Sequence, residues 1–138
     1  MDISKVIEDL KVDEGWDPSA YKDSLGFWTI GYGFLIDRSK GGEIPMPIAE
    51  AWLKHEATEK WNSLVAAQPW VLTQPENVQR ALCNMCYQLG VSGVGKFKKM
   101  IAALKLGDSD KAADEALDST WAKQTPNRAK KVTDIMRG

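Results

Sequence analysis

Between Tyr21 and Phe34 the chain abandons the helical periodicity that governs most of its length. The run Tyr-Lys-Asp-Ser-Leu-Gly-Phe-Trp-Thr-Ile-Gly-Tyr-Gly-Phe is rich in aromatic and β-branched residues. Asp23-Ser24-Leu25-Gly26 supplies turn chemistry in its first half, so the segment reads as a β-hairpin. Gly31 and Gly33 alternate along the expected second strand. Glycine there weakens a strand and marks close approach by a ligand or another part of the chain. Asp37 to Pro47 holds two glycines and two prolines and reads as a loop, with room for a short third strand.

Helical spacing brackets this segment. Ile3, Val6, Ile7 and Leu10 recur at helical intervals, with Asp2 as N-cap and Gly15 as the exit after Glu14. A long helix is expected from Pro47 to about Ala67, with Leu53, Ala57, Trp61, Leu64 and Val65 on one side. From Pro75 on, Val78, Leu82, Met85 and Leu89 mark a helix stopped at Gly90. Phe97, Met100, Ile101 and Leu104 mark another, stopped at Gly107. Ala112, Ala113, Ala116 and Leu117 mark a third. Thr125 and Pro126 are suited to cap and first position of the last, with Ala129, Val132 and Ile135 inward. The expected class is α+β and mostly helical, in one domain over 1–138. A small β lobe spans about 13–46, a connecting helix about 47–67, and a helical lobe about 68–138, with helix 2–13 packed on it. A cleft between lobes is a natural place for a substrate.

A chain of 138 residues with 43% apolar content supports one core. No run approaches the roughly 18–20 apolar residues of a membrane span. The acidic amphipathic start lacks the basic-flanked apolar stretch of a secretory signal, so stable membrane insertion is not expected. Cys83 and Cys86 form a C-x-x-C pair, but one histidine, His55, and no further cysteine leave a four-ligand zinc site incomplete. Since the pair sits in a helical apolar pattern, two reduced core-facing thiols are expected, with a redox role as the alternative. No cofactor or metal is expected. The net charge is −1, unevenly spread: residues 1–61 carry 12 acidic and 7 basic groups, residues 62–138 carry 7 acidic and 11 basic. The basic groups gather at Lys96, Lys98, Lys99, Arg128, Lys130, Lys131 and Arg137. A solvated helix surface explains such a cluster, and a polyanionic partner is the sharper reading. No nucleic-acid motif accompanies it, so no nucleic-acid partner is expected.

Glu14 ends a helix beside Trp16, and Asp23 sits at the lip of a hairpin nine residues on. Glycosidic bonds are cleaved by carboxylate pairs, one protonated and one ionised, in different environments. Apolar neighbours would favour a protonated Glu14 and a polar turn an ionised Asp23. Thr29, six residues later on the returning strand, has a hydroxyl that can hold a water. By themselves these features are weak, because a chain with 19 acidic residues offers many such pairs.

Longer blocks strengthen them. Glu14-Gly15, Tyr21-Lys22-Asp23 and Gly26-Phe27-Trp28-Thr29-Ile30-Gly31-Tyr32-Gly33 resemble the phage-type lysozymes of glycoside hydrolase family 24. That family's pattern is Glu, eight residues, Asp or Cys, five residues, Thr, and Glu14, Asp23 and Thr29 fit it without a gap. Asn84-Met85-Cys86-Tyr87-Gln88-Leu89-Gly90, Ser92-Gly93-Val94, and Trp121 with Gln124-Thr125-Pro126-Asn127-Arg128-Ala129-Lys130 resemble later blocks of the family, in order.

The resemblance implies a lysozyme-like two-lobed fold and a muramidase. Its substrate would be bacterial peptidoglycan, cut by hydrolysis at the β-1,4 bond between N-acetylmuramic acid and N-acetylglucosamine, with inversion. Glu14 would be the general acid, while Asp23 and Thr29 would hold the attacking water. Arg128 would reach Glu14 in an ion pair across the lobes. Leu35, Tyr87 and Gln88 fall at cleft-lining positions, with core packing as the plain alternative, and Trp121 is expected to be structural, beneath Gln88. The setting implied is an endolysin, a monomer held in the host cytoplasm until a holin permeabilises the membrane and the host cell is lysed. A piece of a phage tail puncturing device is also open. Competing readings are a lytic transglycosylase, which would not need Asp23 or Thr29, and a non-catalytic cell-wall-binding module. Three departures stand out. Phe34 occupies a position often filled by histidine, so packing must replace that residue's ion pair. The stretch after Phe34 is short, which trims the small lobe. Met100 and Glu115 do not match the family's contact residues.

Overall fold

Asp2 caps the first helix as its short carboxylate predicts, accepting from the Ser4 backbone N–H at 3.0 Å. The structure, a computed structural model, describes residues 1–36 and 42–138. The Asp37–Pro47 loop expectation therefore lies partly outside the described residues, as does the side chain of Val6. Two compact units are present, Met1–Glu50 and Ala51–Gly138.

In the first unit, α1 (Ile3–Glu14) ends at Gly15, whose φ of 71° takes the chain out of the helix while its N–H bonds back to Lys11. Three antiparallel strands follow in the order β1 (Asp17–Lys22), β2 (Trp28–Gly31) and β3 (Phe34–Leu35). The hairpin is thus observed, but it begins earlier than expected and carries a third strand. Asp17 pairs with Gly31 and Tyr21 with Thr29, so β1 bulges by two residues between them. Pro18, which has no N–H for the ladder, falls in that bulge. The first turn is tied by Asp23 N–H to Phe27 O at 2.9 Å and Gly26 N–H to Asp23 O at 3.0 Å. The expected uninterrupted second strand breaks at Gly31-Tyr32-Gly33, where both glycines have φ of 72°. These glycines turn the chain; they are not strand interior. The short third strand is consequently Phe34–Leu35, ahead of the loop in which it was expected. Phe34 packs its ring against Gly31, where a Cβ would meet it at 3.1 Å, and Trp16 stacks on Tyr32 with ring centroids 5.2 Å apart. These aromatic contacts pack the turn.

Helix α2 (Met46–Ala67) begins in the first unit and continues into the second, whose core it enters only near its C-terminus. Leu64 is buried and Trp61 and Val65 pack against the core, while Leu53 is exposed. A 3-10 turn, Pro69–Thr73, follows; it is too short to show periodicity in the sequence, and it buries Val71. Along α3 (Glu76–Gly95), Val78, Leu82 and Met85 are fully buried, as their spacing requires. Gly90 breaks the helix at φ 75°, but the chain re-enters helix at once. Cys83 and Cys86 are free thiols on the face of α3 toward α2. The Cys86 thiol lies 3.5 Å from the Lys60 carbonyl oxygen, and burial pushes both thiols up from their ordinary range. Cys86 is buried in the core as expected, while Cys83 is half-buried against α2.

Helices α4 (Lys98–Lys105), α5 (Ser109–Leu117), α6 (Thr120–Gln124) and α7 (Pro126–Arg137) complete the unit. Fully buried Ala112, Ala113 and Ala116 give α5 a flat side on which α4 and α7 close. Short α6 had no periodic signature to announce it. Thr125 sits at the cap position of α7, but its hydroxyl donates backward to Trp121 O at 2.9 Å and does not cap the helix. Buried Thr133, unanticipated, satisfies its hydroxyl on Ala129 O at 2.8 Å. No helix among the described residues is long and apolar enough to cross a membrane.

Candidate active site

Glu14 is the last residue of α1, and its carboxylate lies over Gly33 in the turn between β2 and β3. A Cβ on Gly33 would overlap Glu14 Oε2 and sit 3.1 Å from its Cδ. The close approach expected at these glycines is therefore made by the acid itself. Glu14 is exposed, so neither α1 nor the sheet forms the apolar enclosure expected around it.

Asp23 closes the first hairpin. Its Oδ1 accepts from the Leu25 and Phe27 backbone N–H groups, both at 2.9 Å. Those bonds fix the carboxylate and leave Oδ2 free of protein partners among the described residues. Strand alternation puts Asp23 on the face that carries Tyr21 and, across the ladder, Thr29. Thr29 is 4% exposed in the central strand, and its hydroxyl donates to Phe27 O at 3.2 Å while its lone pairs remain available to a water. Leu35 pairs with Thr29 from β3 and is half-buried on that same face. The first unit thus gathers Glu14, Asp23, Thr29 and Leu35 on one small sheet and the helix leading into it.

Two substitutions separate the turn-holding hydrogen bonds of Asp23 from the catalytic role expected of it. Asp23→Ala should orphan two backbone N–H groups and cost about 1–2 kcal/mol of stability as well as activity. Asp23→Asn keeps an acceptor oxygen, so thermal melting should stay close to wild type while turnover falls. Equal melting losses in both variants would show that charge, not acceptance, holds the turn.

The second unit carries the remaining candidates. Gln88 is exposed on α3, and its Oε1 accepts from Trp121 Nε1 at 2.9 Å. Trp121, 6% exposed and edge-on to Phe97, is the structural support expected. Gln88 and Trp121 line an open groove of about 740 Å³ together with Met100 and Glu115, the two positions that depart from the family. Tyr87 is exposed on α3 outside that lining. Arg128 is half-buried on α7, and Asn84 holds it twice: Nε donates to the side-chain oxygen at 3.1 Å and Nη2 to the main-chain oxygen at 3.2 Å. Sequence reasoning missed the roles of Asn84 and Gly33, although both lie inside the matching blocks.

Residues 11–137 match the phage lysozyme family. The chain belongs to that family. Among its relatives is probable T4-type lysozyme 2 of Dictyostelium discoideum, 30% identical over 161 aligned positions covering 96% of this chain and 94% of the relative. Probable T4-type lysozyme 1 of the same organism is 31% identical over 97% of this chain and 94% of the relative. The pre-baseplate central spike protein Gp5 of Enterobacteria phage T4 is 30% identical over 94% of this chain, within 27% of its own length. As a phage lysozyme the chain is a glycoside hydrolase, and its small antiparallel sheet amid helices is the lysozyme-like α+β class expected. Among the described residues no group of histidine, cysteine, aspartate or glutamate is arranged to hold a metal ion.

Proposed function

We propose that this lysozyme hydrolyses the β-1,4 bond between N-acetylmuramic acid and N-acetylglucosamine in bacterial peptidoglycan, with inversion. The reading rests chiefly on the pattern Glu14, Asp23, Thr29, carried by one small unit that seats Glu14 against Gly33 and fixes Asp23 through two backbone N–H groups. Glu14 is the general acid that protonates the departing glycosidic oxygen. Asp23 Oδ2 takes the proton of the attacking water, and the Thr29 oxygen accepts from that water to hold its line of approach. Asn84 orients Arg128 through two hydrogen bonds, which leaves further guanidinium N–H groups as donors. Leu35, Tyr87 and Gln88 contact the glycan.

The setting proposed is an endolysin: a monomer in the host cytoplasm that lyses the cell once a holin opens the membrane. Expression in bacteria should therefore leave turbidity unchanged until chloroform is added, and then clear the culture within minutes. The match within a spike protein favours a second setting, in which the same domain is delivered on a phage particle.

Product chemistry tests the bond and the mechanism together. Digests of purified peptidoglycan should give reducing muramic acid ends that gain one water by mass spectrometry, first released as the α-anomer by NMR. Anhydro-muramic ends would instead establish a transglycosylase, and an unchanged polymer a binding module.

A further inference from the structure

Lys11 has a glutamate three residues away in each direction along α1, Glu8 before it and Glu14 after it. Side chains three apart on a helix are neighbours, so the ammonium group has two carboxylates to choose between. It is bound to Glu8: Lys11 Nζ donates to Glu8 Oε1 at 3.1 Å, and the pair is exposed. No ion pair joins Lys11 to Glu14 among the described residues, and the Glu14 carboxylate lies over Gly33. The hydrogen bond to Glu8, then the Glu8 charge, then Tyr32 from the turn between β2 and β3 hold Lys11 above the ordinary lysine range. The cation therefore persists wherever carboxylates titrate.

Its choice of partner has a chemical consequence. A general acid must still carry its proton when substrate is bound. A cation within about 4–6 Å of a carboxyl group favours the ionised form. Lys11 turned toward Glu14 would therefore draw the proton from the group that has to deliver it.

We propose that Glu8 is a positioning residue for the reaction: by engaging Lys11 it keeps this cation off the Glu14 carboxylate, so that the acid holds its proton for the glycosidic oxygen. This rests on the reading of Glu14 as general acid given above. The other charges of the unit are placed differently. Lys5, Asp9 and Asp13 on α1 stand neither three nor four residues from Lys11 or Glu14. On β1, Asp17 accepts from the Ser19 N–H at 2.9 Å and Lys22 lies over the Trp28 ring, 5.4 Å from its centroid. Asp23 is tied to its own turn. Arg128, which the family resemblance expects at Glu14, is retained in every variant compared below.

The test measures kcat/KM for reducing-sugar release from purified peptidoglycan across about pH 4–9, where the alkaline limb reports loss of the acid's proton. Glu8→Gln should move that limb down by about half a pH unit, the scale of one exposed ion pair. Rates beyond the limb should fall about threefold, with little change at the acidic end. Adding Lys11→Met to Glu8→Gln should return the limb to its wild-type position. Asp9→Asn, with the same change in net charge on the same helix, should leave it in place. An unmoved limb in Glu8→Gln would overturn the proposal, as would a loss equal at every pH. An equal shift in the double variant would also overturn it, since Glu8 would then act by its own charge and not through Lys11. Glu14→Gln tests the underlying reading separately. If that variant stays active with the same alkaline limb, Glu14 is not the acid.

Discussion

Glu14→Gln should abolish most bacteriolytic activity while leaving the fold intact. General acid catalysis contributes on the order of 10²–10⁴ in rate, and glutamine cannot deliver a proton. The loss should therefore reach about a thousandfold in kcat, with KM nearly unchanged because the side chain keeps its shape. The carboxylate is exposed and makes no hydrogen bond among the described residues, so thermal melting should move by no more than about 0.5 kcal/mol equivalent. Turbidity clearance of chloroform-treated Gram-negative cells measures the rate, and circular dichroism the fold. Wild-type clearance by this variant would remove Glu14 from the chemistry.

The second large effect is expected at Gly33, which carries no reactive group. Gly33→Ala places a methyl where Glu14 Oε2 now lies. The clash itself is cheap to relieve, since the carboxylate is the free end of a flexible chain. Relieving it moves the acid away from its seat, and a displacement of about 1 Å can cost a hundredfold in rate. The positive φ of 72° adds about 1 kcal/mol of destabilisation that no rotation of Glu14 can remove. Activity should thus fall about a hundredfold, with a melting loss far too small to account for it. The exposed turn glycine Gly26 also has positive φ, at 84°, but its Cβ would meet nothing within 4 Å. Gly26→Ala should therefore show the same stability loss with activity retained. If both alanine variants lose activity equally, backbone strain and not the seating of Glu14 is responsible.

These expectations separate what local sequence can announce from what it cannot. Hydrophobic recurrence at helical spacing located α1, α3, α4, α5 and α7, because a face repeating every three to four residues has one economical conformation. Gly15 and Gly107 ended their helices, since only glycine enters the left-handed region without strain. Elements without such signatures escaped notice. The 3-10 turn at Pro69–Thr73 and α6 are too short for periodicity, and the core around them decides their conformation. Gly31 and Gly33 were read as strand interior because alternation looks alike whether the chain runs straight or folds back. The second turn became visible only in the pairing of Ile30 with Phe34.

The same division runs through the site. Glu14, Asp23 and Thr29 stand out as candidates only with the family-like blocks around them, since a chain with 19 acidic residues offers many such pairs. Tertiary structure decided what each is tied to. Asp23 spends one oxygen on its turn, Glu14 rests on a glycine nineteen residues away, and Asn84 holds Arg128 from another helix. It also sorted seven like-charged residues: Lys130 and Arg137 lie in ion pairs, Arg128 is held by Asn84, Lys131 is exposed, and Lys96, Lys98 and Lys99 line a groove. Hydrogen bonds and ion pairs depend on distances of a few ångströms between residues far apart in sequence. The order of the residues determines which groups exist, and only the folded backbone determines which of them meet.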